Sequence, residues 1–120
     1  MAITTIDLRA ISGGQLHVNS DVDESSDSVD SGAGTLWAIE VDNTGNAAVT
    51  YVKLYNNGAP TVGTTAPDFI FAVPASVSRA IIFPQGFAYS TALSIAAVTA
   101  GGTAGTTGPT SAVTARVVYS

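Results

Sequence analysis

The chain has 120 residues, which is the size of one domain. Charged residues make up 11% of it, against roughly 25% in an average protein, and cysteine is absent. Disulfide bonds, thiolate metal sites and cysteine nucleophiles are therefore excluded, and few side chains remain for acid–base chemistry.

The net charge of −5 is concentrated in one short segment. Elsewhere four acids are balanced by four bases, and the remaining acids are Asp21, Asp23, Glu24, Asp27 and Asp30. A neutral protein with one acidic segment has no cationic surface for phosphates, so we predict no direct nucleic-acid partner.

The first 34 residues are predicted to form an N-terminal hairpin or an arm, followed by an acidic loop. Two β-prone runs, Ile3–Ile11 and Gln15–Asn19, flank the turn sequence Ser12-Gly13-Gly14. The segment Asp21–Gly34 has few apolar residues, which predicts a solvated loop.

No export signal or membrane segment is expected. The N-terminus lacks the basic region and the continuous apolar stretch of a signal peptide. The most apolar window, Phe87–Ala100, has 14 residues, where a membrane-spanning helix needs about 20. We therefore expect no membrane partner and a chain that is made in the cytoplasm.

Alternating residues predict a β-hairpin in the middle of the chain. In Thr35–Asp42, bulky apolar residues such as Trp37 alternate with small or acidic ones, which is typical of a half-buried strand. The turn-prone segment Asp42–Asn46 joins this strand to a second apolar run, Ala47–Asn56.

Further strands are predicted at Phe69–Val73, Val77–Phe83, Phe87–Ala96 and Val113–Tyr119. Pro84-Gln85-Gly86 is predicted to end the second of these strands, and Ala100–Ser111 to form a Gly/Thr loop. Within the third, bulky residues alternate with small ones, so that one face carries Ala92 and Ser94.

These elements predict an all-β fold: an antiparallel β-sandwich of about seven or eight strands, either immunoglobulin-like or a jelly roll. No stretch has the period of an amphipathic helix, and no internal repeat is present. We expect residues 1–120 to form a single domain.

The acidic segment has part of a calcium-loop pattern. Alternating oxygen donors are present at Asp21, Asp23, Ser25 and Asp27. The positions that require glycine and glutamate in such a loop hold Ser26 and Gly32 instead. A solvated loop is therefore favoured over a metal site.

Other patterns that could carry chemistry are incomplete. The only histidine, His17, has no thiolate partner for zinc and no Gly-x-Ser-x-Gly nucleophile. Glu40 and Asp42 could act as paired carboxylates, but they are expected on an exposed strand face with no sugar platform beside them. The segment Gly101–Gly105 lacks the lysine and the helix of a phosphate loop. We predict a non-enzymatic protein without catalytic, cofactor-binding or metal-binding residues.

A long uncharged stretch is the most informative feature. From Ala80 to Ala115 there are 36 residues without Asp, Glu, Lys, Arg or His, where an average protein has about nine charged residues. Exposed strands usually carry charge for solubility. Either a partner covers this third of the chain, at the small-residue face around Ala92 and Ser94, or its Ser, Thr and Gly residues keep it solvated.

The central region resembles a group of small structural proteins of tailed bacteriophages. The resemblance covers roughly residues 35–99 and the closing strand Val113–Tyr119, and it is a pattern rather than a diagnostic motif. It is carried by Trp37–Asn43 with Gly45, Tyr51–Asn56, Ala59–Gly63, Phe69–Pro74 and Phe83–Leu93. The first 34 residues match no part of it.

The resemblance implies a virion structural protein on the capsid surface, a decoration or cement protein that binds the major capsid protein and stabilises the phage head. Such proteins commonly form homotrimers, and the family has no catalytic residues. The alternative is a receptor- or carbohydrate-binding module of a phage tail or fibre, for which Trp37, Tyr51 and Tyr55 are the candidate contact residues.

Overall fold

The structure is a computed structural model that describes residues 13–120, so the strand predicted at Ile3–Ile11 lies outside the described residues. Within this range all regular structure is β, and no helix is present that could cross a membrane. The strands are β1 (Gln15–Val22), β2 (Asp27–Asp30), β3 (Gly34–Asp42), β4 (Thr50–Tyr55), β5 (Phe69–Val73), β6 (Ser78–Tyr89), β7 (Leu93–Val98) and β8 (Val113–Tyr119).

The eight strands form two antiparallel four-stranded sheets, which confirms the predicted β-sandwich. Sheet A has the order β1-β8-β3-β6 and sheet B the order β2-β7-β4-β5. Strands pair from the two chain ends inward: β1 with β8, β2 with β7, β3 with β6 and β4 with β5. This wrapped arrangement is that of a jelly roll, not the immunoglobulin arrangement.

The core lies between the inward faces of the two sheets. Sheet A contributes Leu36, Ile39 and Val41, and sheet B contributes alternate residues of β4 and β7 such as Leu54 and Ile95. An aromatic cluster closes the side where β5 and β6 face each other, with ring centroids 5.5–6.0 Å apart, and consists of Phe69, Phe71, Phe83 and Phe87.

The predicted central hairpin is wrong. β3 belongs to sheet A and β4 to sheet B, so the segment between them crosses from one sheet to the other. Local turn chemistry could not reveal this, because Asn43 and Asn46 turn inward and form buried hydrogen bonds instead of closing a two-stranded turn.

Further strand boundaries differ from prediction, and the strand predicted at Phe87–Ala96 is divided between the end of β6 in one sheet and β7 in the other. The acidic segment is not wholly a loop, since β2 pairs with β7 and buries Val29. β6 also continues through Pro84 and Gly86, because these residues lie at an irregularity of the β3–β6 ladder, between the pairs Ala38–Ile82 and Leu36–Phe87, where a missing N–H donor is tolerated. Gly86 has a φ of 78° and packs under the Trp37 ring, where a Cβ would lie 3.3 Å from ring carbons.

Candidate functional site: the edges of sheet A

The small-residue face of β7 is covered by the chain itself. All six residues of β7 are buried, and Ala92 and Ser94 are 2% and 1% exposed. The Ser94 hydroxyl donates to the carbonyl of Asn57 at 2.7 Å, within the loop that leads from β4 to β5. The expectation that a partner binds this face is therefore wrong, because a loop of the same chain occupies it.

Lys53 fixes the Gly/Thr loop over the outer face of sheet B. It is fully buried, and its ammonium group donates to the carbonyls of Thr103 and Gly105 at 3.1 and 2.9 Å. Burial lowers the pKa of this lysine. A cation that is satisfied only by backbone carbonyls anchors the loop, so the sequence Gly101–Gly105 is a structural cover.

Two buried tyrosines differ in their hydrogen bonding. The Tyr89 hydroxyl donates to Asp30 Oδ2 at 2.7 Å and joins β6 to β2, whereas the Tyr55 hydroxyl has no partner among the described residues. Burial raises the pKa of both phenols, and the bond to Asp30 raises that of Tyr89 further.

We expect Tyr89→Phe to cost about 1–2 kcal/mol at pH 7, because Asp30 loses its donor, and Tyr55→Phe to be neutral or stabilising. Unfolded tyrosine ionises near pH 10, while the two buried phenols ionise at higher pH, so folding stability falls as the pH rises above that value. Each substitution should make that fall less steep, and Tyr89→Phe should do so by up to about 1.4 kcal/mol per pH unit. Urea titrations from pH 7 to 11.5 measure both effects, and an unchanged alkaline slope would contradict the assignment.

Three carboxylates of the acidic segment accept hydrogen bonds within the chain. Asp23 accepts a hydrogen bond from the Ser25 N–H at 2.9 Å, Asp27 accepts one from the Asn19 side chain at 2.8 Å, and Asp30 accepts from Tyr89. In residues 13–120 no group of three or more His, Asp or Glu side chains is placed to hold a metal ion.

The remaining candidates for acid–base or metal chemistry form no common site. Glu40 is 2% exposed and pairs with Arg116 at 3.4 Å, so its expected exposure is wrong. Asp42 accepts hydrogen bonds from the Thr44 side chain and backbone, which lower its pKa. His17 is half-buried on β1, and its Nε2 has no hydrogen-bond partner within the described range.

The three aromatic residues considered for carbohydrate binding are buried or half-buried. Tyr55 is fully buried. Trp37 is half-buried and donates to the Ser120 hydroxyl at 3.0 Å, and the ring of half-buried Tyr51 packs against Gly101. A small cavity of about 30 Å³ near Asn46 and Pro109 has room for water-sized occupants only.

Apolar residues form a row across the outer face of sheet A. Leu16 lies opposite Val118, Val118 opposite Ala38, and Ala38 opposite Ile82, so the row crosses all four strands. In the middle of the row Val118 and Ala38 are buried, at 3% and 1% exposure, whereas Leu16 and Ile82 at its ends are 54% and 47% exposed. The open apolar surface therefore lies at the two edges.

The exposed large apolar side chains of residues 13–120 are all at these edges. They are Leu16 and Val18 on β1, Ile82 on β6, and Val77 immediately before β6. Among the described strands, β1 and β6 each have a hydrogen-bonded neighbour on one side only. We call the exposed side chains and the outward backbone of Gln15–Ser20 the β1 edge, and those of Val77–Phe83 the β6 edge.

Among the described residues, the edge strands of sheet B have features that prevent pairing with another strand, and the edge strands of sheet A have fewer of them. β2 has only four residues and begins and ends with aspartate. On β5 the guanidinium of Arg79 donates to the Ala72 carbonyl at 2.6 Å. Short length and charge are the usual means of preventing edge pairing. The β1 edge has no charged residue, and the β6 edge has Arg79 alone.

Comparisons with known protein families, with curated proteins and with solved structures give no significant match to the chain. The residues that distinguish this surface were not singled out from the sequence. Leu16 and Val18 are ordinary strand residues by pattern, and only their place on an edge strand makes them exposed. The signal that was available is the uncharged run from Ala80, which begins within the β6 edge.

Proposed function

We propose that the chain is a non-enzymatic structural protein of a tailed-bacteriophage particle, a decoration protein that binds the major capsid protein and reinforces the head. The observation that carries the proposal is the concentration of exposed apolar side chains at the two edges of sheet A. Surface of this kind on an otherwise well-covered sandwich is typical of protein–protein contacts. The resemblance of residues 35–99 to small phage structural proteins is the reason for proposing a tailed-bacteriophage particle.

Three features support a structural role over a catalytic one. Six of the eight carboxylates among the described residues, and the buried lysine, hold turns, strands and loops. The jelly roll is a fold found in viral capsid proteins, although fold alone does not assign function. A rigid domain present in many copies also needs only weak contacts at each site, because repeated contacts multiply in affinity.

In this proposal the chain is a homotrimer on the capsid surface, made in the host cytoplasm, without nucleic-acid or membrane contact. The acidic segment faces solvent and keeps the particle surface soluble. The carbohydrate-binding alternative gains no support from the geometry, since Tyr55 is buried and the exposed parts of Trp37 and Tyr51 are limited.

The proposal is tested by co-sedimentation with empty shells assembled from the major capsid protein of the source phage. We expect saturable binding and a higher temperature of shell disruption. Ala66→Arg places a positive charge at an exposed loop position and should bind like the wild type, so it controls for nonspecific effects of added charge. A folded chain that stays in the supernatant and leaves shell stability unchanged would remove the proposal.

A further inference from the structure

The loop that leads from β4 to β5 contains the one Asn-Gly pair of the chain, Asn57-Gly58. Glycine has no Cβ to hinder the approach of its own nitrogen to the preceding side chain, and it gives the backbone freedom to bend toward that side chain. Gly58 is exposed and Asn57 is half-buried, so water reaches both residues. The pair therefore has the residue types and the access that attack of a backbone nitrogen on an asparagine amide requires.

The five asparagines of the chain differ in how their side-chain amides are held. Four of them donate hydrogen bonds from Nδ2: Asn19 to Asp27, Asn43 to three backbone carbonyls, Asn46 to Asn43 and Ser111, and Asn56 to Ser90. Within residues 13–120 the side chain of Asn57 makes one hydrogen bond, through Oδ1, and its Nδ2 makes none. The fold thus restrains four amide groups and leaves the nitrogen of the fifth unrestrained.

We propose that Asn57 is a site of spontaneous deamidation, in which the Gly58 nitrogen attacks the side-chain carbonyl carbon of Asn57. The Gly58 N–H makes no hydrogen bond among the described residues, so no bond has to break before it reacts. The new bond from the Gly58 nitrogen to Cγ closes a five-membered succinimide ring, and the Cγ–Nδ2 bond breaks. The amide nitrogen leaves as ammonia with the proton that the Gly58 nitrogen loses. The chemistry needs no partner and is independent of the proposed function.

Water then opens the succinimide at one of its two carbonyl carbons. Opening at Cγ gives aspartate in an ordinary backbone. Opening at the main-chain carbonyl carbon gives isoaspartate, in which the chain continues through the former side chain. Either route consumes one water molecule, releases one proton and leaves one new carboxylate at position 57.

The turn at Asn57 favours ring closure. The Ala59 N–H donates to Asn57 Oδ1 at 2.8 Å, and negative charge develops on that oxygen as the Gly58 nitrogen attacks. Asn19 has the same kind of turn, but serine follows it and Asp27 accepts a hydrogen bond from its Nδ2 at 2.8 Å. Asn19 is therefore the matched comparison within the chain.

The isoaspartate product alters the loop that covers β7. The Asn57 carbonyl accepts the Ser94 hydroxyl at 2.7 Å, and in isoaspartate this carbonyl becomes part of a carboxylate beside a residue that is 1% exposed. The main chain before Gly58 also becomes one methylene longer, next to buried Ala92. Ordinary aspartate keeps the backbone and both contacts, so isoaspartate is the product that loosens the cover of the small-residue face.

The test measures deamidation of the folded full chain at each asparagine by peptide mass mapping during incubation at pH 8. Asn57 should react first, and the other four asparagines at least about tenfold more slowly, because each must first open locally. In urea above the unfolding transition, the rate at Asn57 should lie within about tenfold of its rate in the folded chain, since the reacting groups need no unfolding.

Gly58→Ala is the matched variant. Gly58 has no positive φ, and a Cβ there would lie 3.7 Å from the Ala92 methyl group, which is an ordinary contact. The variant should keep the melting temperature of the wild type and lower the rate at Asn57 by at least about tenfold.

Asn57→Asp reproduces the ordinary product and has the same charge as deamidated wild type. The deamidated fraction is separated by ion exchange, and its isoaspartate content is measured with isoaspartyl methyltransferase. The isoaspartate form should melt about 3–5 °C below Asn57→Asp.

Equal rates at Asn57 and Asn19 in the folded chain, or an unchanged rate at Asn57 in Gly58→Ala, would overturn the site. So would a rate at Asn57 that rises more than about tenfold in urea, because the fold would then protect the pair. An isoaspartate form that melts with Asn57→Asp would overturn the effect on the loop over β7.

Discussion

Asn43→Asp is expected to lower the free energy of unfolding by about 3–5 kcal/mol at pH 7, because it buries an unpaired carboxylate. The Asn43 side chain is fully buried, and its Nδ2 lies 3.1–3.2 Å from the carbonyls of Ala48, Val73 and Pro74. Aspartate would place a negatively charged oxygen against three carbonyl oxygens. The melting temperature should fall by about 10–20 °C.

The effect extends beyond one side chain because Asn43 belongs to a buried polar network. Its Oδ1 accepts hydrogen bonds from Thr50 at 2.8 Å and from Asn46 at 2.9 Å. Asn46 in turn bonds the backbone of Ser111, which leads into β8. The network therefore joins the segments after β3, before β6 and before β8.

A matched substitution separates this mechanism from a general effect of charge. Asn57 uses its Oδ1 only to accept the Ala59 N–H, so Asn57→Asp keeps that contact and should change stability by less than about 0.5 kcal/mol. Urea denaturation at pH 7 measures both variants. A loss below about 1 kcal/mol for Asn43→Asp would contradict the role of the network.

The second large effect concerns the small-residue face of β7. Ala92→Glu should lower the free energy of unfolding by about 3–5 kcal/mol, because position 92 is 2% exposed and a carboxylate there would be buried. The nearby loop is close, since a Cβ at Gly58 would lie 3.7 Å from the Ala92 methyl group. The variant is expected to unfold rather than to lose a partner.

Ala88→Glu provides the control for this prediction. Ala88 is exposed on β6, outside the β6 edge, and the substitution should alter stability by less than about 0.5 kcal/mol. Thermal unfolding monitored by circular dichroism compares the two variants. If Ala92→Glu has the melting temperature of the wild type, the loop around Asn57 does not pack tightly against position 92.

The strands of this fold were predictable because their signals are local. Runs such as Phe69–Val73 and Val113–Tyr119 are β-prone and bounded by turn residues, and the structure confirms them. The assignment of strands to sheets was not predictable in the same way. The turn sequence between β3 and β4 suits a hairpin, and only the long-range bonds of Asn43 to Val73 and Pro74 give it another role.

The charge-free stretch was correctly identified as unusual, but its explanation needed the fold. In β7 the lack of charge reflects burial under the chain's own loops, which Lys53 and Ser94 hold in place. In the β6 edge the same lack of charge leaves an open apolar surface around Ile82. A sequence pattern cannot separate these cases, because part of the cover over β7 comes from the loop around Asn57, more than 30 positions away.

A density map of the intact particles of the source phage tests the decoration-protein proposal most directly. The proposal predicts three copies of the sandwich on the outer surface of the shell, with Leu16 and Ile82 covered by the shell or by a neighbouring copy and Asp21–Asp30 directed to solvent. Shell density without this sandwich, or copies with both edges of sheet A open to solvent, would contradict it.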